Sequence, residues 1–243
     1  MRHASLAILT IPVAATVAQL APAMSAIPAG RRLFPVVARI PGAKSVALTF
    51  DDGPDVALDQ FLTLLDRVGA RATFFLVGEQ VVLRPDAPAA IVAAGHEVAV
   101  HGYTHRGHLR RAPWEVADDL RRARAVIEET AQLKTRLFRP PYGLFSLGSW
   151  LESSRQGWSR VLWSRWGRDW EAEATPLSIV DCIGVPRPGD ILLLHDADRY
   201  SAPGSWKHTL AALPAICDRV AQAGLALRSV SELLDEARQV THV

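Results

Sequence analysis

Two adjacent carboxylates, Asp51 and Asp52, close the apolar run from Ser45 to Phe50 and are followed at once by Gly53-Pro54-Asp55. Like charges this close oppose each other's ionisation, so the pair asks for a cation beside it, either a metal or an arginine. The chain offers both further on, in His101 and His105, four residues apart, and in Arg139. Two imidazoles at that spacing reach one cation from a single turn of chain. Asp52 completes a His-His-Asp set that leaves coordination positions open for water and substrate. Asp51 then stays unligated and is placed to take a proton from an attacking water, with Arg139 keeping it ionised and oriented. His195, which follows the apolar run Ile191 to Leu194, can donate a proton to a leaving nitrogen, as amide cleavage requires. Each residue taken singly has an ordinary structural explanation: a turn aspartate, a strand-end histidine, a surface ion pair.

Five segments carry these residues: Thr49-Phe50-Asp51-Asp52-Gly53-Pro54, His101-Gly102-Tyr103-Thr104-His105, Arg139-Pro140-Pro141-Tyr142-Gly143, Arg168-Asp169-Trp170 and Leu193-Leu194-His195-Asp196. In order and spacing they resemble the signature motifs of the polysaccharide deacetylase family, the NodB-homology domain of carbohydrate esterase family 4, from about Val46 to Leu234. The resemblance implies metal ligands at Asp52, His101 and His105, a general base at Asp51 supported by Arg139, and a general acid at His195 oriented by Asp169. It further implies an oxyanion contact from the Tyr142 backbone N–H and an acetyl pocket walled by Trp170 and Leu193. The implied cofactor is a divalent metal, zinc first, with cobalt, nickel or iron as alternatives. The implied reaction is removal of acetyl groups, foremost N-acetyl groups of amino sugars, from a polysaccharide or oligosaccharide. A same-fold hydrolase of small amides or O-acetyl esters, and a glycan-binding protein without turnover, are the alternatives.

Two departures from the family pattern stand out. Gly102 occupies the position after the first histidine where a hydroxyl residue is common, which leaves Thr104 as a substitute brace, and Trp166 stands where an acidic residue is common. Trp166 joins Trp158, Trp163, Trp170 and Trp206 as candidates for an aromatic surface near the cleft, against the commoner role of tryptophan in cores.

The elements that must position these residues follow from periodicity. Val46 to Phe50, Ala72 to Val77, His96 to Val100, Leu137 to Arg139, Val161 to Trp163, Ile191 to Leu194 and Leu225 to Leu227 read as strands. Helices are predicted over Val56 to Val68, Ala89 to Ala94 with a stop at Gly95, from Pro113 onward, and His208 to Ala223. Alternating strands and helices predict an α/β fold: an irregular (β/α) barrel of seven to eight parallel strands, forming a single catalytic domain. Asp51, Asp52, His101, Arg139, Asp169 and His195 all fall just past a predicted strand, the face where such barrels build their sites.

A net charge of +2 with dispersed basic residues excludes a nucleic-acid partner, and Arg110-Arg111 and Arg121-Arg122-Ala123-Arg124 read as solvated faces. Two cysteines, Cys182 and Cys217, make no disulfide framework and are expected as buried free thiols. Residues 1–30 are expected as a signal peptide or flexible extension, and residues 31–243 as the polysaccharide deacetylase domain. The apolar stretch from Ala4 to Ala18 is too diluted for a stable membrane span. It favours export, with a cytoplasmic location as the alternative. An acetylated glycan is the expected partner; the sequence leaves the oligomeric state open.

Overall fold

The structure, a computed structural model, describes residues 14–241; the first 13 residues of the leader expected over 1–30 lie outside them. Eight short strands form one parallel sheet: β1 (Val46–Asp51), β2 (Thr73–Leu76), β3 (Glu97–Val100), β4 (Leu137–Phe138), β5 (Ser159–Arg160), β6 (Arg165–Trp166), β7 (Ile191–His195) and β8 (Leu227–Arg228). Their order is β5-β4-β3-β2-β1-β7-β6, with β8 paired to the start of β1. The outermost strands, β5 and β6, are joined only by residues 161–164, a link that spans at most roughly 18 Å at about 3.5 Å per residue. The sheet must therefore curl until its edges nearly meet, which makes a half-barrel. Bridges from Val37 to Val161 and from Arg39 to Asp190 lie along that seam.

The pleat decides which residues face inward. Along β1, Val46, Leu48 and Phe50 join the outer core beneath the helices, while Ala47 belongs to the inner one. The same alternation sends Phe74 and Leu76, Val98 and Val100, and Leu192 and Leu194 outward, and Phe75, Ala99 and Ile191 inward. A period of two then puts Asp51, His101, Arg139 and His195 at the top of the inner layer. Small inner residues at Ala47 and Ala99 leave room for the wholly buried Arg139 side chain. Val230 and Leu233 of α9 (Val230–Thr241) join the inner cluster.

Helices cover the outside: α2 (Leu58–Arg67), α3 (Gly78–Leu83), α4 (Ala87–Ala93), α5 (Pro113–Ala131), α6 (Leu147–Arg155), α7 (Pro176–Ile183) and α8 (Ser205–Gln222). In α2, Leu58, Phe61 and Leu65 form the buried stripe that the sequence predicts. Phe61 meets Phe50 at 5.3 Å, and Phe50 stacks on Phe74 at 5.1 Å. Each such fully buried ring contributes about 1.5–3 kcal/mol relative to exposure. Pro113 opens α5 as expected, and α4 stops before Gly95, whose φ of 80° supplies the left-handed turn. At the N-terminus, α1 (residues 14–20) and 3₁₀ turns at Ala21–Ala26 and Gly30–Arg32 are folded. Gln19 donates to the carbonyls of His108 and Arg111, and Ser25 and Gly30 are buried.

Two expectations are corrected. The predicted strand Val161–Trp163 is the link between β5 and β6, because an apolar run crossing a barrel seam looks like a strand in sequence. Helices α3, α6, α7 and α9 and strand β6 were not predicted. Both cysteines are free, but Cys182 is exposed and Cys217 only half-buried.

Candidate functional site

A pocket of about 300 Å³ opens at the carboxyl ends of the strands, lined by Asp51, Asp52, His101, His105, Tyr142, Trp170, Leu193 and His195, together with Gly143, Trp163 and Tyr200. Eight residues expected from sequence thus share one cavity, and the other two, Arg139 and Asp169, stand directly behind Asp51 and His195.

Asp52, His101 and His105 bring one potential ligand atom each to within 4.8 Å of one another. The His101 Nδ1 lies 2.8 Å from the Arg139 carbonyl. A carbonyl only accepts, so Nδ1 carries the proton and the Nε2 lone pair faces Asp52 at 3.5 Å. The His105 Nε2 is 3.1 Å from the same Asp52 Oδ1, and that oxygen is buried with no hydrogen-bond partner among the described residues. An unpartnered buried carboxylate oxygen facing two imidazole nitrogens fits a divalent cation better than it fits a purely structural role. Burial works against ionisation of Asp52, yet the imidazoles that face it hold its carboxyl well below the usual range.

Local backbone enforces this convergence. Asp52 has φ 81°, which turns the chain sharply after β1, and both carboxylates face His101 Nε2, Asp52 Oδ1 at 3.5 Å and Asp51 Oδ2 at 3.8 Å. Gly53 follows because a Cβ there would sit 2.5 Å from the Asp196 carboxylate. Between the histidines, Gly102 has φ 110°, a region that disfavours side chains, and a Cβ would come within 3.1 Å of the Thr104 carbonyl. Thr104 Oγ1 donates to Asp119 at 2.7 Å. Asp119 also accepts from the Tyr103 N–H at 2.7 Å and from Arg111 at 2.9 Å, so one buried carboxylate on α5 braces the whole histidine turn. Arg111 is therefore more than a solvated face. Tyr200 stacks on His105 with centroids 4.3 Å apart and donates its hydroxyl to Glu79 at 2.6 Å.

On one side of the pocket, Arg139 Nη1 donates to Asp51 Oδ1 at 2.6 Å and to Thr49 at 2.9 Å, while Nη2 donates to the Leu162 carbonyl at 3.0 Å. Its guanidinium lies 4.1 Å from the Phe75 ring centroid. On the opposite side, His195 Nδ1 is 2.9 Å from Asp169 Oδ1. Asp169 Oδ2 accepts from the His195 N–H at 2.7 Å and from Thr209 Oγ1 at 2.8 Å. Burial lowers the His195 pKa, but the Asp169 carboxylate overcomes it and pushes the imidazole up to about 10. Tyr142, in the turn Pro141–Gly143, adopts φ 60° and is exposed, and Arg168, at φ 54°, turns the chain just before Asp169.

Of the five tryptophans considered, three line up near the cleft: Trp163 to Trp166 at 5.9 Å, Trp166 to Trp170 at 6.5 Å, and Trp170 edge-on to His195 at 5.5 Å. Trp158 is core, and Trp206 borders a separate groove between α2 and α8. Asp119, Tyr200 and Thr209 were not found from sequence, because each reaches the site from a distant element with no motif of its own.

Residues 38–161 match the family described as polysaccharide deacetylase. The chain is similar to a chitooligosaccharide deacetylase from Bradyrhizobium sp. (strain ANU 289), 37% identical over 65% of this chain and 73% of the relative. It is also similar to a peptidoglycan-N-acetylglucosamine deacetylase from Bacillus cereus, 31% identical over 79% of this chain and 88% of the relative. Among solved structures, a family 4 carbohydrate esterase from Streptomyces lividans in complex with acetate superposes with a TM-score of 0.69 at 32% identity, covering 76% of this chain and 91% of that one. A family pseudoenzyme from Bacillus anthracis superposes at 0.72 with 28% identity, covering 81% and 67%.

Proposed function

Since the chain belongs to the polysaccharide deacetylase family, we propose that it is a metal-dependent hydrolase that removes N-acetyl groups from the amino sugars of a glycan. The observation that carries this is the pairing of opposed groups across one pocket, with Asp51 held by Arg139 on one side and His195 held by Asp169 on the other. Their separate partners let one be ionised while the other is protonated.

In this reading Asp52 Oδ1 and the Nε2 atoms of His101 and His105 hold the cation, zinc in the first instance. A divalent cation bound there supplies Lewis acidity, which polarises an acetyl carbonyl and makes water acidic enough to attack near neutral pH. Asp51, fixed through Oδ1 by Arg139, uses Oδ2 to take the proton of the attacking water. The Tyr142 N–H, aimed by the left-handed turn between two prolines and Gly143, donates to the developing oxyanion. Trp170 and Leu193 enclose the acetyl methyl and exclude bulk water. His195 keeps a proton on Nδ1 against Asp169 and gives its Nε2 proton to the departing nitrogen as the C–N bond breaks, releasing acetate and a free amine.

A glycan of the cell envelope places the enzyme outside the cytoplasm, and export fits the composition of its N-terminus. The packing of residues 14–32 on the domain fits a mature chain that retains them, and mass spectrometry of the N-terminus of native protein tests this. The pseudoenzyme neighbour is the reason to test turnover directly. Acetate release is measured from N-acetylated glycans, O-acetyl xylan and small amides with chelated and zinc-reconstituted protein. Metal-restored release from a glycan is the expected result. Release confined to esters or small amides moves the substrate, and none from any substrate leaves a glycan-binding protein.

A further inference from the structure

Beside the catalytic pocket lies a second cavity of about 620 Å³, which shares Tyr142, Gly143 and Trp163 with it. Its remaining walls come from Ala26 and Arg31, from the link after β5, from Trp166 and from Cys182 of α7. A polymer with one sugar in the catalytic pocket can lay a neighbouring sugar here, because Tyr142, Gly143 and Trp163 border both cavities. Trp166, 47% exposed, presents an apolar ring suited to the face of a pyranose.

The charge in this groove is one-sided. No aspartate or glutamate lines it. Of its two arginines, Arg165 is neutralised by Asp190 and capped by the Ile183 carbonyl. Arg31 is anchored only by carbonyls, its Nε donating to Ser25 at 3.0 Å and its Nη2 to Ala26 at 3.4 Å, and it forms no ion pair among the described residues. Two carbonyls position a guanidinium without cancelling its charge, so Arg31 keeps its capacity for an anion and Nη1 is free to donate. Arg31 also precedes the family-matched residues 38–161, so this feature belongs to the chain's own N-terminal segment.

We propose, resting on the deacetylase reading, that this groove binds the sugar next to the one being deacetylated through a carboxylate on that sugar. The preferred substrate is then an acidic N-acetylated glycan rather than a neutral one. The relatives include enzymes named for each kind, chitooligosaccharide and peptidoglycan deacetylases, and the unneutralised guanidinium selects between them. Neutral chitin-type sugars give Arg31 nothing to pair with, whereas a lactyl ether or a uronic acid brings a carboxylate to the groove.

The test uses the zinc-loaded full chain and three oligosaccharides of equal length: neutral N-acetylglucosamine, N-acetylglucosamine alternating with N-acetylmuramic acid, and N-acetylglucosamine alternating with a uronic acid. The ratio of kcat/KM for an acidic oligomer over the neutral one is expected to be about tenfold, the scale of one charge-assisted hydrogen bond. Arg31→Gln, which retains a donor for the Ser25 carbonyl, brings the ratio to near one. So does Cys182→Asp, which adds a repelling charge from an exposed position. The lactyl and uronic arms identify which carboxylate is read. A second readout needs no turnover: alkylation of Cys182 by iodoacetamide, followed by mass spectrometry, is slowed by the acidic oligomer and not by the neutral one, and Arg31→Gln loses the protection. A ratio near one in the wild type, or one that neither substitution moves, overturns the groove and leaves the deacetylase standing. Absence of acetate release from every oligomer defeats the catalytic reading instead, and Cys182 protection by the acidic oligomers then decides the groove alone.

Discussion

The two ends of the barrel interior each hold a carboxylate among packed side chains, and they treat it in opposite ways. At the amino end, Glu97 accepts from Thr73 Oγ1 at 2.7 Å, from the Ser231 N–H at 3.2 Å and from the Ser231 hydroxyl, and burial raises its pKa. All its donors are neutral and all are satisfied. At the carboxyl end, Asp52 faces two imidazoles, leaves Oδ1 unpartnered and is held in the ionised form. A half-buried acid surrounded by neutral donors closes a structure, whereas a buried one surrounded by ionisable groups, with an oxygen to spare, awaits a ligand.

The sharpest way to break that contrast is to remove each acid. Asp52→Ala is expected to lose stoichiometric zinc, measured by atomic absorption, and at least about a thousandfold in kcat/KM, because the cation's contribution to the attack goes with it. Full zinc occupancy in that variant defeats the ligand assignment. Asp51→Asn comes next: about 10²- to 10⁴-fold in kcat, the range of a positioned base, with zinc content unchanged. If acetate release persists at the wild-type rate, Asp51 is not the base.

Asp169→Asn sharpens the comparison on the acid side. The acid must be protonated to act, and Asp169 is what lifts His195 to about 10. Without that carboxylate the imidazole titrates closer to its ordinary 6.5, so the alkaline limb of kcat/KM moves to lower pH by more than one unit. The deficit grows as pH rises, and an alkaline limb that does not move removes His195 from the acid role. Smallest of all is Glu97→Gln, expected to leave zinc content intact and to change stability by about 1 kcal/mol or less. The sign follows from linkage: an acid whose pKa is raised in the folded state binds protons more tightly there, so wild-type stability falls as pH rises above the unfolded value near 4.3. The variant should therefore gain on the wild type between pH 5 and pH 8 in urea melts. A difference that shrinks over that window contradicts the assignment.

What the sequence made legible follows the same division. Asp51, His101, Arg139 and His195 could be located because each follows an apolar run that forms β1, β3, β4 or β7. Chemistry placed at strand exits is visible one strand at a time. The brace from Asp119 was not visible, since it sits on the buried side of α5 among ordinary helix residues. Tyr200 and Thr209 were missed for a similar reason: only the curl of the sheet brings the segment after β7 over His105 and Asp169. The seam at residues 161–164 was misread because hydrophobicity reports burial, and a crossing chain is buried as well as a strand. Asp52, Tyr142 and Arg168, with positive φ and no glycine to announce it, are set by tertiary packing that overrides local preference.

The place of β1 in the sheet has a consequence in time. It is the first strand to leave the ribosome, yet its neighbours are β2, β7 and β8, and Asp51 lies in register with His195. Chain-closure entropy for such distant pairings must be met before they reward the chain, which slows folding relative to helical bundles. The facing Asp51 and His195 come together only when most of the polypeptide has been made, so a nascent chain halted before Ile191 carries Asp52, His101 and His105 but lacks the imidazole in register with Asp51.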